Sequence, residues 1–272
     1  MSGPVLGPPC LGPGSRPCPT VLFMDLNDQT KTTPVPVTSS TNPAPVILIV
    51  GASRGLGHAM AAEFLKNGWN VVGTVRAGAG RTLLHDLADA FPGRLEIELL
   101  DINEPAQIAS LRERLAGRSF EMLFVNAGTT SNEQVPIGLV PTEDFVNVMV
   151  TNALSPMRVI EALQDLVSPA GLIGAMSSGQ GSITNNSTGM REVYRGSKAA
   201  LNMFMRSFAA RQSDTARAFV LMAPGWVQTG LGGPKAPFTI EESVPKVVSV
   251  LLAKRERPGL EYLDRFGQAV PW

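Results

Sequence analysis

Short apolar runs alternate with helix-periodic stretches along most of this chain. Val46-Ile-Leu-Ile-Val50 is apolar at every position, the pattern of a strand buried on both faces of a parallel sheet. Helical periodicity runs from His58 to Asn67, and Asn70–Val75 predicts a second strand. Arg81–Phe91 reads as helix, Leu95–Leu100 as strand, and Glu104–Leu115 as a helix with proline in its first turn. Phe120–Val125 is the next strand. Thr142–Val167 reads as one long helix interrupted near Pro156. Gly171–Ser178 predicts a strand, Glu192–Arg211 a helix, Ala218–Met222 a strand and Ile240–Ala253 a helix. The tail Leu260–Trp272 supplies a last strand. Strands alternating with helices specify a doubly wound α/β parallel sheet with right-handed crossovers and helices on both faces.

The first 44 residues break this pattern. Ten of the 22 prolines fall in the first 45 positions, and large apolar residues recur at no period. Such a segment buries too little surface to offset the ordering of its backbone. It reads as a disordered Pro-rich arm, with Met24 as an alternative start. It lacks the charge pattern of a signal or transit peptide. Residues 45–272 read as one domain.

Bulk charge and cysteine usage narrow the function. Lys plus Arg and Asp plus Glu both number 23, for a net charge of zero, which gives no electrostatic case for nucleic acid. No apolar run reaches the ~18 residues of a membrane span. Both cysteines, Cys10 and Cys18, lie in the arm. The domain therefore has no disulfide and no cysteine metal site, which fits a reducing cytoplasm. His58 and His85 have no metal-spaced partners, so no metal is expected.

In a doubly wound sheet, ligands lie at the carboxyl ends of the strands. Gly51-Ala-Ser-Arg-Gly-Leu-Gly57 sits between the first strand and its helix. Strand, glycine-rich turn and helix together form a pyrophosphate site. Glycines let the backbone turn and approach, and the helix N-terminus attracts the charge. The spacing is G-x-x-x-G-x-G. Arg76 ends the second strand, where an acid would grip a ribose 2′-hydroxyl and an arginine suits a 2′-phosphate. Arg54 in the glycine loop reaches toward the same place. No acid stands beside them, which favours NADP(H). Asp101, Asn126 and Ser178 fall at three further strand ends.

Tyr194-Arg-Gly-Ser-Lys198 opens the helix after the fifth strand. Residues four apart share a helical face. An ammonium beside a phenol favours the phenolate, and so makes tyrosine a usable proton donor and acceptor near neutral pH.

These pieces resemble a short-chain dehydrogenase/reductase of the classical type, from about Pro45 to Trp272. The matching residues are the glycine loop, Asp101, Asn126-Ala-Gly128, Asn152, Ser177-Ser178, Tyr194 with Lys198, and Pro224-Gly225. Gly181-Ser-Ile183, Pro224-Gly-Trp-Val227 and Pro271-Trp272 are similar to the C-factor-like branch. The resemblance implies a single Rossmann-type domain that reduces a ketone or aldehyde with NADPH. It implies that Tyr194 donates the proton, Lys198 assists it and holds the nicotinamide ribose, and Ser178 bonds the carbonyl oxygen. Asn152 orders a water between Lys198 and solvent. It further implies cofactor contacts from Gly51, Ser53, Arg54, Gly55, Leu56, Gly57, Arg76, Asp101, Ile102, Asn126, Ala127, Gly128, Tyr194, Lys198, Pro224, Gly225, Val227 and Thr229. Gly230 departs from the family, where aspartate is usual.

Adjacent strand residues face opposite ways, so Ser177 reads as structural beside Ser178. The segment 230–253 is expected to form a lid, and Leu231, Pro234, Pro237 and Phe238 hint at a non-polar substrate. Met203, Phe204, Met205 and Phe208 point in too many directions for one face, which suggests a homodimer or homotetramer. Rival functions are a 3-oxoacyl reductase, alcohol oxidation at the same site, and a cofactor-binding signalling protein.

Overall fold

The computed structural model describes residues 43–130 and 134–272. The arm expected over residues 1–44 lies outside them except for its last two positions. Seven strands form one sheet in the order β3-β2-β1-β4-β5-β6-β7, and every pairing is parallel. The strands are β1 (Val46–Val50), β2 (Asn70–Val75), β3 (Leu95–Leu99), β4 (Phe120–Val125), β5 (Val167–Met176), β6 (Ala218–Ala223) and β7 (Gly259–Asp264). The chain order reverses between β1 and β4, the crevice where ligands bind in open α/β sheets.

The all-apolar strands are explained by two cores, one on each face. Leu48 and Val50 point into one core with Leu123, Val125, Ile173 and Leu221. Ile47 and Ile49 point into the other with Met122, Phe124, Leu172 and Val220. Helices α3 (Pro105–Arg114), α5 (Ser155–Leu163) and α6 (Glu192–Ala210) cover the first face; α1 (Gly55–Lys66), α2 (Leu83–Ala90) and α7 (Ile240–Arg255) cover the second.

Two boundaries differ from the sequence expectation for local reasons. β5 begins at Val167, four residues early. Val167 pairs with Phe120, the register then shifts, and the exposed Pro169-Ala170 lies in the irregular stretch. A proline is tolerated there because it need not donate to the ladder. The expected 142–167 helix breaks into four pieces, α4 (Thr142–Met149), a π turn over Val150–Leu154, α5 and a 3-10 turn over Gln164–Leu166, and Val167 already belongs to β5. Ser155 N–H bonds the Val150 carbonyl, five residues back. Pro156 has no N–H to offer the Asn152 carbonyl four residues back, so the α pattern cannot run through.

The 240–253 part of the expected lid is α7. It opens with a Thr239–Glu242 capping box. Val244, Val247, Val248 and Leu251 are buried against the sheet and α1. The loop before it, 230–239, mixes exposed and half-buried positions around the buried Ala236.

Candidate active site

The glycine loop is shaped by backbone contacts. Gly51 has φ +87°, a left-handed conformation, and its N–H donates to Thr74 Oγ1 at 2.9 Å. The Asn126 amide donates to the Gly51 carbonyl at 2.8 Å, tying β4 to the loop. A Cβ on Gly57 would stand 2.1 Å from the Gly51 carbonyl oxygen and 2.6 Å from Asn126 Nδ2. Only glycine fits there, and the first turn of α1 lies against the loop. N–H groups of a first turn have no intrahelical acceptor, so they are donors for an anion.

Ser53 is half-buried and Arg54 exposed at the loop's tip, while the Leu56 side chain packs on the core. Arg76 is exposed at the end of β2, and neither its guanidinium group nor that of Arg54 has a partner among the described residues. Asp101 is half-buried, its carboxylate accepting from Asn103 N at 2.9 Å. The Ile102 side chain is buried in the core, so its main chain, not its side chain, borders the groove. Ala127 faces Gly51, and Gly128 is exposed.

Tyr194 and Lys198 lie on the buried face of α6, at 8% and 4% exposure. Lys198 Nζ donates to the Met176 carbonyl at 2.9 Å, at the end of β5, and stands 5.9 Å from the centre of the Tyr194 ring. Burial pushes the Lys198 ammonium down to about 8. A Cβ on Gly128 would lie 3.3 Å from Asn152 Oδ1 and 3.5 Å from Lys198 Nζ. The end of β4, the π turn and α6 therefore converge on one point.

Asn152 is fully buried with every amide group engaged. Its oxygen accepts from Thr129 N at 2.8 Å, and its nitrogen donates to the Thr129 carbonyl at 2.9 Å and to Ser197 Oγ at 3.0 Å. Ser197 in turn donates to the Tyr194 carbonyl at 2.7 Å. The side chain thus locks the β4 loop to α6, and any water contact falls to its main-chain carbonyl. Asn103 holds the same π turn from the far side through Thr151 and Ser155.

The two serines separate as strand geometry requires. Ser177 is buried and donates to Asn202 at 2.6 Å. Ser178 is half-buried at the mouth, and its Oγ accepts from Gln180 N at 3.2 Å. Tyr262 on β7 donates to the Ser178 carbonyl, and burial pushes its phenol up. Thr129, Ser197, Asn202 and Tyr262 are supports that sequence reasoning missed. Asn202 continues the Tyr194, Lys198 spacing by one more turn, a signal that could have found it. Tyr262 carried none.

Pro224 and Gly225 follow β6, and Val227 bridges Phe238 in parallel. Thr229 faces the glycine loop: a Cβ on Gly55 would lie 3.8 Å from its Cγ2. A Cβ on Gly230 would meet nothing within 4 Å, so the missing aspartate leaves open space and displaces no neighbour. Among the described residues no His, Cys, Asp or Glu cluster could hold a metal.

Residues 45–238 match the family description "short chain dehydrogenase". The chain belongs to this family. A short-chain dehydrogenase/reductase structure from Burkholderia multivorans with bound NADP is 67% identical, with TM-score 0.84, over 85% of this chain and 100% of that one. A carbonyl reductase from Pseudomonas aeruginosa PAO1 in complex with NADP is 32% identical, with TM-score 0.78, over 85% and 100%. The Myxococcus xanthus protein "C-signal" is 34% identical over 56% of this chain and 92% of its own length. The short-chain dehydrogenase match covers the glycine loop, the π turn, Tyr194 and Lys198 in one stretch.

Proposed function

We propose that this protein reduces a ketone or aldehyde to an alcohol with NADPH, using Tyr194 as proton donor. The observation that carries this reading is the convergence of the buried Tyr194–Lys198 face with Gly128 at the mouth of the glycine cradle. The residues present fit NADP. The Gly51–Gly57 loop brings backbone and helix start together without side chains between them, and the exposed guanidinium groups of Arg54 and Arg76 would suit a 2′-phosphate. NADP bound to two similar structures supports the same choice. When bound, the cofactor supplies the hydride.

The chain's own residues do the rest. Ser178 Oγ and the Tyr194 hydroxyl hold the carbonyl oxygen, where negative charge develops. Tyr194 gives that oxygen a proton and is left as phenolate, which the Lys198 charge stabilises. Lys198 would also hold the nicotinamide ribose. Asn152 fixes the distance between the β4 loop and α6. Ile137, Leu139, Ile183, Met190, Trp226 and Leu231 are exposed apolar residues on the loops after β4, β5 and β6, and they favour a substrate with apolar substituents. Phe145 and Val146 on α4 and Met203 and Phe204 on α6 are exposed on two helices that pack together, and they suit a second copy of this chain. Among the described residues no helix is long and apolar enough to cross a membrane, and placement in the cytoplasm rests on cysteine usage alone.

The test is NADPH oxidation against a panel of apolar ketones, aldehydes, quinones and 3-oxoacyl thioesters, with the reverse reaction run on the corresponding alcohols. Turnover of apolar carbonyls with NADPH is expected. NADPH binding without turnover of any of them would favour the signalling reading instead.

A further inference from the structure

The turn into α6 is strained, and it delivers a cation to Tyr194. Gly189, Met190 and Arg191 have φ of +63°, +60° and +58° in succession. Met190 and Arg191 are the only non-glycine residues in that region among the described ones. Left-handed conformations are ordinarily visited by single residues, and they disfavour side chains with a Cβ. Arg191 is also the N-cap of α6 and makes no side-chain cap. A cation there opposes the helix dipole. Three local preferences are overridden, and the result is a guanidinium 5.0 Å from the centre of the Tyr194 ring. Backbone strain of this kind is retained where the surroundings enforce it, often at functional sites.

We propose that Arg191 is a positioning residue that stabilises the phenolate form of Tyr194 and thereby tunes the pH at which it exchanges its proton. The proposal rests on the reading of Tyr194 as proton donor. Arg191 transfers nothing; it acts through the ring. Its use follows from the company Tyr194 keeps. Among the described residues, the charged or titratable groups placed against the ring are Arg191 and Lys198 on its own helix and Tyr262 on β7. The β5 end and the π turn present neutral Ser177, Ser178 and Asn152. Glu192 is exposed and accepts from Ile137 N at 2.5 Å, and Arg195 bonds Met190 O and Thr188. Glu143, Asp144, Arg158 and Glu161 on the packed helices α4 and α5 are exposed. Buried Lys198 gives up its proton at about 8, so its support for a phenolate fades above that pH. A guanidinium stays charged throughout, and it keeps one cation on the ring when Lys198 has gone neutral.

The chain has only two tyrosines, Tyr194 and Tyr262. In a Tyr262→Phe background the ultraviolet difference spectrum of tyrosinate therefore reports Tyr194 alone, without turnover. Should Tyr262→Phe fail to fold, the lower of the two phenol transitions in the wild type serves, since burial pushes Tyr262 up. Arg191→Met should move the Tyr194 transition upward by about half a pH unit, from the size of a cation–π contact and the conversion to pKa. Arg191→Lys should restore most of it. Arg191→Gly should move it upward likewise while raising the melting temperature, because glycine accepts the left-handed turn. In alcohol oxidation, which needs the phenolate, the acid limb of kcat/KM should move upward by the same amount. An unmoved transition in Arg191→Met, or one equally displaced in Arg191→Lys, overturns the proposal. Inactive Tyr194→Phe with an unmoved transition sinks this role alone. Active Tyr194→Phe sinks the proton-donor reading and with it the role.

Discussion

The two halves of the strand edge are built by different means. Around β1 and β2 the groove is made of backbone: a positive-φ glycine, a helix start pressed on a carbonyl at Gly57, and an Asn126 amide pinning that same carbonyl. Around β5 and α6 it is made of side chains. Thr129–Asn152–Ser197–Tyr194 forms one chain of hydrogen bonds, and Asn202–Ser177 forms another beside Tyr262–Ser178. The first half has donors to offer a phosphate and two exposed cations. The second buries an ammonium beside a phenol. A backbone cradle binds whatever charge fits it, whereas a proton donor needs its neighbours fixed by packing. On the proposed function the first half would bind and the second would do the chemistry, and substitutions in the two should therefore have different signatures.

The largest effect belongs to the side-chain half. Tyr194→Phe keeps the ring and removes the proton. Turnover on a confirmed substrate should fall by about 10²–10⁴-fold, the range of general acid–base catalysis. Steady-state kinetics with saturating NADPH checks this, and wild-type turnover would end the assignment of Tyr194.

Gly57→Ala probes the backbone half. Its methyl would sit 2.1 Å from a main-chain oxygen, so loop or helix must shift. Overpacking of this kind costs about 1–3 kcal/mol, and NADPH affinity should weaken by at least about tenfold at ~1.4 kcal/mol per factor of ten. Unchanged affinity by calorimetry would show that the cofactor does not use this cradle.

Arg76→Asp tests the charge at its edge. A charge-assisted hydrogen bond is worth about 1.5–3 kcal/mol, less where solvent screens it. The kcat/KM preference for NADPH over NADH should drop by about tenfold, and the wild-type preference should weaken with salt. Equal use of both cofactors by the wild type would mean that neither Arg54 nor Arg76 meets the 2′-phosphate.

The smallest effect is a pH dependence of stability. The folded Lys198 titrates at about 8 and the unfolded one at about 10.5. Between those values the unfolded chain binds more protons, so the Lys198 contribution becomes more favourable as pH rises. Its penalty is full below pH 8 and gone above the unfolded value, at most about 3 kcal/mol in all. Denaturation of wild type and Lys198→Met should show the gap between them moving in the wild type's favour across that window. A constant gap would place the Lys198 charge in water.

The same contrast explains what could be read from the sequence. Strand–helix alternation and two-faced burial were legible because whole apolar runs such as Val46–Val50 and Ala218–Ala223 leave no other arrangement. The glycine loop was legible because its spacing follows a strand and opens a helix. The Tyr194–Lys198 pair was legible from helical spacing. Tyr262 was not, since it meets Ser178 from 84 residues away in sequence. Nor was the job of Asn152, which depends on a π turn that Pro156 forces and on Thr129 across the site. The early start of β5 was hidden because its first residues pair irregularly, with a register shift after Val167 and an exposed proline at 169.

The separation of binding from chemistry is tested most directly by titrating NADPH into Tyr194→Phe and following binding by calorimetry. The account predicts a dissociation constant within about twofold of the wild type, from a protein whose turnover has fallen by the ~10²–10⁴-fold of a missing proton donor. A tenfold or greater loss of NADPH affinity would contradict it, because Tyr194 would then be holding the cofactor and not only moving a proton.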